Sequence, residues 1–373
     1  MTSTGAVHAF ADDALGEFAP VHSLTASTSE DVFTFGRRFG LADGRLVASH
    51  GAATDVYRRD PGGWSLEQAI PGPASRTVTG ASTDGTRAVV TSRSSMAPYG
   101  LAHVYVQDPG GAWALEQVLE PDLMGFASPS ENGTAFKSAI EGETLVLAAQ
   151  RWNGGDGRVF VYERSGGTWT QSQLFMSDLQ PTQFDMNFGQ LVRLDGNTLV
   201  VAEEPSSGNP STLRNGRVFV YERASATADF VQTQIIEDPT PSVLDHFGSA
   251  VALSGDYLAT YAPQTDRVAV HRRSAGVFVE VWSDVVPDVG PGMAMDADRL
   301  AVGVTGAEVD GLAGVGEIRV YERQPGDSYA LEDTFRPRRR FAGLGLGLYV
   351  AMEGGRVVAS SYQDDQALYD FAL

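Results

Sequence analysis

Arg158-Val-Phe-Val-Tyr-Glu-Arg164 recurs letter for letter as Arg217 to Arg223, and Glu317-Ile-Arg-Val-Tyr-Glu-Arg323 nearly repeats it. Looser copies are Asp55-Val-Tyr-Arg-Arg59, His103-Val-Tyr-Val-Gln-Asp108, Arg267-Val-Ala-Val-His-Arg-Arg273 and Ala367-Leu-Tyr-Asp-Phe-Ala-Leu373. Each alternates β-branched or aromatic residues with polar ones, the period-two mark of a strand. All copies but the last lead through a short turn into a second strand that opens on an aromatic: Trp64, Trp113, Trp169, Phe230, Phe278 and Tyr329. Asp60-Pro-Gly-Gly63 and Asp108-Pro-Gly-Gly111 are strong hairpin turns, because Pro presets φ and Gly supplies positive φ.

Ahead of each copy lies another hairpin, with its turn at Gly44, Gly85, Gly142, Gly196, Gly255, Ala297 or Gly354. A near-continuous apolar strand follows, as in Leu145-Val-Leu-Ala148 and Leu199-Val-Val-Ala202. Such strands are expected where both faces of a sheet are covered. Two hairpins make four antiparallel strands, repeated seven times. That pattern predicts an all-β chain folded as one seven-bladed β-propeller of four-stranded antiparallel blades. The expected blades are 35–75, 76–122, 134–178, 188–238, 247–285, 292–337 and 341–373, the last completed by 5–24. In the last blade Ala367 to Leu373 is expected as third strand and the N-terminal segment Phe18 to Leu24 as fourth. Ala6-Val-His-Ala-Phe10 competes for the third place.

Composition narrows the function. The 373 residues contain no Cys, which excludes disulfides, thiolate metal sites and a Cys nucleophile. Net charge is −20, so a general nucleic-acid surface is not expected. Among the basic residues Lys137 is the sole lysine. No stretch of 18 apolar residues occurs, so membrane insertion by a helix is not expected. Met1 to Phe10 has no basic and then apolar leader. A mature extracellular or cell-surface chain is expected, with a cytoplasmic one as the alternative, and a monomer in either case.

Phe188-Gly189, Phe247-Gly248 and Tyr261-Ala-Pro263 resemble the halves of the FG-GAP motif of integrin-α-like propellers. The resemblance is strongest from about 134 to 285. It implies a binding or adhesion module with a protein or polysaccharide partner, recognised through the long-loop face. One departure concerns calcium. The family's loops carry several carboxylates at alternate positions, whereas Leu194-Asp-Gly-Asn197, Ser254-Gly-Asp256 and Asp296-Ala-Asp298 are short, so no metal site is carried over. No motif implies a cofactor.

The connections expected on one face are short and regular. Those on the other are long and varied, the usual arrangement of a binding surface on a rigid scaffold. Candidate ligand-binding residues there are Arg37, Arg38, Trp152, Asp156, Asp185, Asp245, His246, Arg338 and Arg340. The arginines, with Arg336 and Arg339, could grip a carboxylate, sulfate or phosphate through paired guanidinium contacts, or could simply pair with neighbouring Asp and Glu. Trp152 beside Asp156 suits stacking on a sugar, or packing on the next blade. Asp185 and Asp245 precede equivalent Phe-Gly pairs, and such repetition favours turn capping over chemistry. His50 and His246 are the histidines placed toward this face. The alternative function is a polysaccharide lyase or hydrolase acting on an acidic glycan at the channel mouth, with His246, Tyr261 and Arg338 as the catalytic candidates.

Overall fold

The computed structural model describes residues 6–12, 18–27, 35–36, 38–50, 53–61, 63–94, 100–121, 136–149, 157–177, 186–205, 215–240, 246–337, 340–362 and 368–372. The chain is an all-β propeller. Six of its sheets are four-stranded, antiparallel and built from consecutive strands. The innermost strands of these blades are β3 (Phe39–Ala42), β7 (Thr77–Thr83), β11 (Phe136–Glu141), β15 (Met186–Asp195), β19 (Val251–Ser254) and β23 (Val289–Asp296). They stand side by side in a ring that β27 (Val350–Glu353) completes.

The expected set of seven alike blades is corrected by the sheet to which β27 belongs. It has five strands, in the order β2 (Phe18–Thr25), β1 (Ala6–Asp12), β29 (Leu368–Ala372), β28 (Arg356–Ser360), β27. Both competing segments therefore take part. Leu368–Ala372 is third, as expected, but Ala6–Asp12 lies fourth and runs parallel to it, with His8 opposite Tyr369. Phe18–Thr25, expected in that fourth place, is displaced to fifth as the antiparallel partner of β1. The physical reason is edge satisfaction. The N-terminal hairpin must pair antiparallel with itself, and its leading strand covers the open edge that β29 would otherwise present.

The repeated sequence forms the third strand of each blade. In β13 (Arg158–Ser165) Val159, Phe160 and Val161 are all buried, because neighbouring blades cover both faces. The preceding strand β12 (Thr144–Ala149) is buried at every position. The Phe-Gly pairs have a packing role. Phe188 is fully buried, and its carbonyl oxygen lies where a Cβ on Gly157 would have to be. Gly189 follows at φ 83°, at the irregularity of β15 between Phe188 and Leu191, where the backbone lies close against Ala148 and Val159 of the previous blade.

A second device locks the outer strands. In all six blades the pairing of third and fourth strands slips by one residue at the same place, for example between Val161 and Tyr162. The extra residue reverses which face the following side chain takes. The aromatic that opens the fourth strand packs on the preceding blade, and the residue four positions on reaches the next blade. Gln173 donates to the Phe230 carbonyl at 2.9 Å and accepts from the Phe230 amide at 2.8 Å. Gln68 brackets Trp113, Gln117 brackets Trp169 and Gln234 brackets Phe278 in the same way. In the fifth blade Trp282 takes the place of Gln and packs its ring 5.4 Å from that of Tyr329.

The short turns are linked as well. Asp84 accepts from the Gly142 amide at 3.1 Å, Glu141 from Gly196 at 2.7 Å and Asp195 from Gly255 at 2.6 Å. Glu353 of the closing sheet accepts from Gly44 at 3.0 Å, which carries the series across the chain ends. A further bond across the ends runs from the Trp64 indole to Asp370 of β29 at 2.8 Å, and Arg356 also binds this Asp370. We expect Gln173→Ala to leave two interblade backbone groups without partners and to lower stability by about 1–3 kcal/mol in denaturant titration. A change below about 0.5 kcal/mol would show that the bracket is incidental.

Candidate functional site

The innermost strands enclose a cavity of about 350 Å³ along the propeller axis, within the range of a small-molecule site. Its wall includes small residues from several of these strands, such as Gly40, Ala81, Ala139, Ala252 and Ala294. Each charged residue among the described residues lining it is a cation: Arg38, Lys137 and Arg193. In a chain of net charge −20 this is a sharp local inversion.

Strand alternation explains why these side chains enter the lumen. An innermost strand has one side toward the axis, so a charged residue at an axial position has nowhere else to go. Lys137 lies four residues before Glu141 and Arg193 two before Asp195, the carboxylates that cap equivalent turns. Lys137 thus stands nearer the long-loop end of the channel, with Arg193 about two positions deeper. Arg38 immediately precedes β3 and donates to the Thr79 carbonyl at 2.8 Å. Gly80 lies alongside it, and a Cβ there would sit in tight contact with Arg38 Cδ at 3.3 Å. Arg193 donates to the Val192 carbonyl at 3.0 Å. Among the described residues none of the three forms an ion pair within 4 Å of a carboxylate, and Glu204 is the carboxylate whose field reaches Lys137.

The electrostatics follow from this crowding. Burial, with Arg38 and Arg193 nearby, brings the Lys137 ammonium down to about 7. The side chain keeps some contact with water, yet protein surrounds the lumen, and that surrounding governs the shift. Burial lowers Arg193 to about 10, which leaves it charged at neutral pH. Glu204, at the long-loop end of β16 (Thr198–Pro205) and paired with Asn187, is raised to about 7 by burial, against the pull of Lys137.

The residues singled out from the sequence are dispersed. Arg37, Trp152, Asp156, Asp185, Asp245, Arg338 and Arg339 lie outside the described residues. Arg38 joins the cavity. Arg340 pairs with Asp310 and donates to the Pro337 carbonyl, while Arg336 pairs with Glu317 at 2.9 Å. These two of the C-terminal arginines are therefore engaged with neighbours. His246 is half-buried at φ 49° and accepts from the Ser249 amide at 3.1 Å, in the turn ahead of β19. Tyr261 is buried in the core, with its hydroxyl donating to Asp266 at 3.2 Å, and burial with Asp266 pushes its phenol well above the ordinary range. Neither His246 nor Tyr261 lines the cavity. His50 is buried 3.5 Å from Asp55. The described residues contain no group of three or more metal-ligating side chains, and no described helix is long and apolar enough to cross a membrane.

Lys137 and Arg193 escaped the sequence reading. The available signal was a cation inside the innermost strand, at Phe136-Lys-Ser-Ala139 and Leu191-Val-Arg-Leu194.

No model of a known protein family matches the sequence, and no curated protein matches it. Solved structures do match in fold. A chain of the mitotic checkpoint complex is 12% identical, with a TM-score of 0.58 over 91% of this chain and 90% of that one. A protein of Bacteroides uniformis provisionally named a 6-phosphogluconolactonase is 12% identical, with a TM-score of 0.56 over 90% and 97%. The periplasmic gluconolactonase of Pseudomonas aeruginosa is 17% identical, with a TM-score of 0.52 over 88% and 92%. These likenesses establish the propeller fold, which hosts binding proteins and enzymes alike.

Lys137→Met removes an ammonium that folding disfavours. Its folded value of about 7 lies below the ordinary 10.5, so the cost is complete below about pH 7 and fades as pH rises toward 10.5. We expect the variant to melt above the native protein near about pH 6, by roughly 1–2 °C for each kcal/mol relieved, and to lose most of that gain by about pH 10. Equal gains at both pH values would show that the amine is not buried as described.

Proposed function

We propose that this protein is a binding propeller that takes an anionic ligand into its axial channel, where Arg38, Lys137 and Arg193 hold the anion. We count the closing sheet as a seventh blade of an integrin-α-like propeller, and we place the long loops around the channel mouth as the outer part of the recognition surface. The observation that carries the reading is the all-cationic charge of the cavity wall in a strongly acidic chain. Three cations with no described ion pair to a carboxylate favour a small acid, or the acidic end of a glycan or protein chain. Paired guanidinium contacts suit a carboxylate or phosphate, and the low-dielectric lumen strengthens them. The negative outer surface disfavours anions elsewhere, so the channel is the preferred place for one. We also retain an extracellular setting for the mature chain.

Hydrolysis at the same mouth is the second reading. Glu204 favours it, because a carboxyl group titrating near 7 can take and return protons at neutral pH. Two of the structural neighbours bear lactonase names, which supports a sugar lactone as the substrate to try by fold analogy alone.

Calorimetric titration with galacturonate, citrate and phosphate tests the binding reading. We expect Arg38→Ala and Arg193→Ala each to weaken binding by about 10- to 100-fold, the loss of one charge-assisted contact. Affinity should fall from about pH 6 to about pH 8, as Lys137 loses its charge and Glu204 gains one beside the permanently charged Arg38 and Arg193. Absence of binding by all three acids, or binding that survives both Arg variants, would refute it. Hydrolysis of gluconolactone that Glu204→Gln abolishes would establish the second reading instead.

A further inference from the structure

Lys137 stands out in three independent ways. It is the only lysine in the sequence. It lines the cavity and makes no described hydrogen bond, and Glu204 is the carboxylate that acts on it through space. Its neighbours there are two arginines, whose field disfavours a second positive charge. A chain with 26 arginines at its other basic positions holds, at the channel wall, the one basic side chain that can lose its proton and act as a nucleophile. An amine crowded by other cations in a desolvated site is a recognised way of making lysine reactive.

We infer that Lys137 is a nucleophilic amine that condenses reversibly with the carbonyl carbon of a small oxo acid whose carboxylate is held by Arg38 and Arg193. This deepens the anion-binding reading and rests on it. The step balances without any further reactant. The neutral Nζ attacks the carbonyl carbon, and the C=O double bond opens to a hydroxyl as the nitrogen gives up a proton. The resulting carbinolamine then loses that hydroxyl as water, with one proton supplied to it, and the C=N bond forms as the nitrogen releases its remaining hydrogen and so returns that proton. One water leaves for each imine made, and nothing is oxidised or reduced. Glu204, interacting electrostatically with Lys137 and half protonated near neutral pH, is suited to move the proton. The small residues of the wall leave room for the chain of the acid beside the amine. Arg38 is anchored on the Thr79 carbonyl and Arg193 on the Val192 carbonyl, so the two guanidinium groups are held from different strands.

The test is reductive trapping on the intact protein. The full-length chain is incubated near pH 7 with pyruvate and sodium cyanoborohydride, and the product is weighed and peptide-mapped. Because the chain has one lysine, the N-terminal amine is the single competing primary amine and serves as an internal control. We expect one pyruvate-derived group on Lys137, at least about tenfold above the label on the N-terminal amine, since the bound carboxylate raises the local concentration of the carbonyl. Lactate, which has the carboxylate but no carbonyl, should suppress the Lys137 label and spare the N-terminal one. Lys137→Arg keeps the positive charge and should leave only the N-terminal background, while Arg38→Ala should cut the Lys137 label about tenfold or more. Label no greater at Lys137 than at the N-terminus, or unchanged by lactate and by Arg38→Ala, would overturn the inference. Calorimetry with lactate separates the two readings. Lactate binding without pyruvate trapping leaves the anion site standing and removes the nucleophile, whereas loss of both removes the site itself.

Discussion

Everything in this propeller depends on contacts between sheets that are not hydrogen-bonded to one another as strands. A four-stranded blade has two apolar faces and cannot bury either alone, so stability lies in the interface with the next blade. Hydrophobic packing supplies most of that, but packing alone does not fix how far one blade slides over another. The side-chain-to-backbone bonds do. Gln173 holds both the amide and the carbonyl of Phe230, and a slide of one residue would break both contacts at once. The carboxylates at the turns do the same near the axis, where Glu141 meets Gly196 and Asp195 meets Gly255. Inner and outer latches together set the angle between blades, and with it the width of the channel.

The one-residue slip in the outer pairing is what makes the outer latch possible. Along a regular strand, residues four apart share a face, so the opening aromatic and the Gln would both point backward. One inserted residue sends the aromatic to the preceding blade and the Gln to the following one. Trp282 shows that the position matters more than the chemistry. Where the fifth blade lacks Gln, an aromatic at the same place packs on Tyr329 and Tyr321, and the blades still meet. Asp370 shows the same logic at the junction of the chain ends. It receives the Trp64 indole as Glu67 receives that of Trp113, although it comes from a different strand.

Much of this fold was legible because its causes are local. The seven copies of the third strand, the aromatic openings and the turn glycines are each written in a few adjacent residues. The closing sheet was less so. Whether Ala6–Asp12 or Phe18–Thr25 lies against β29 depends on which edge is open after the ring has formed, and no local pattern contains that. The site was harder still. The arginine run near the C-terminus drew attention because it is dense in sequence, yet Arg336 and Arg340 pair with Glu317 and Asp310. Lys137 and Arg193 stand 56 positions apart and look unremarkable singly. They become a site because a ring brings axis-facing positions of different blades together.

That geometry also explains how an acidic protein can keep a cationic centre. Charges on the outer strands are screened by water and salt over about 10 Å, so the excess of Asp and Glu there reaches the lumen weakly. Inside, small side chains and seven backbones replace the solvent, and each cation acts on its neighbours with little attenuation. The consequence is visible in the residue that can yield. Arg193 keeps its proton at neutral pH, so the crowding is relieved at Lys137, whose ammonium falls to about 7. On the anion-binding reading, a carboxylate held by Arg38 and Arg193 would offset part of their field at Lys137, so occupancy of the channel and the titration of that amine would be coupled. The latches that set the channel's width would then also set the strength of that coupling.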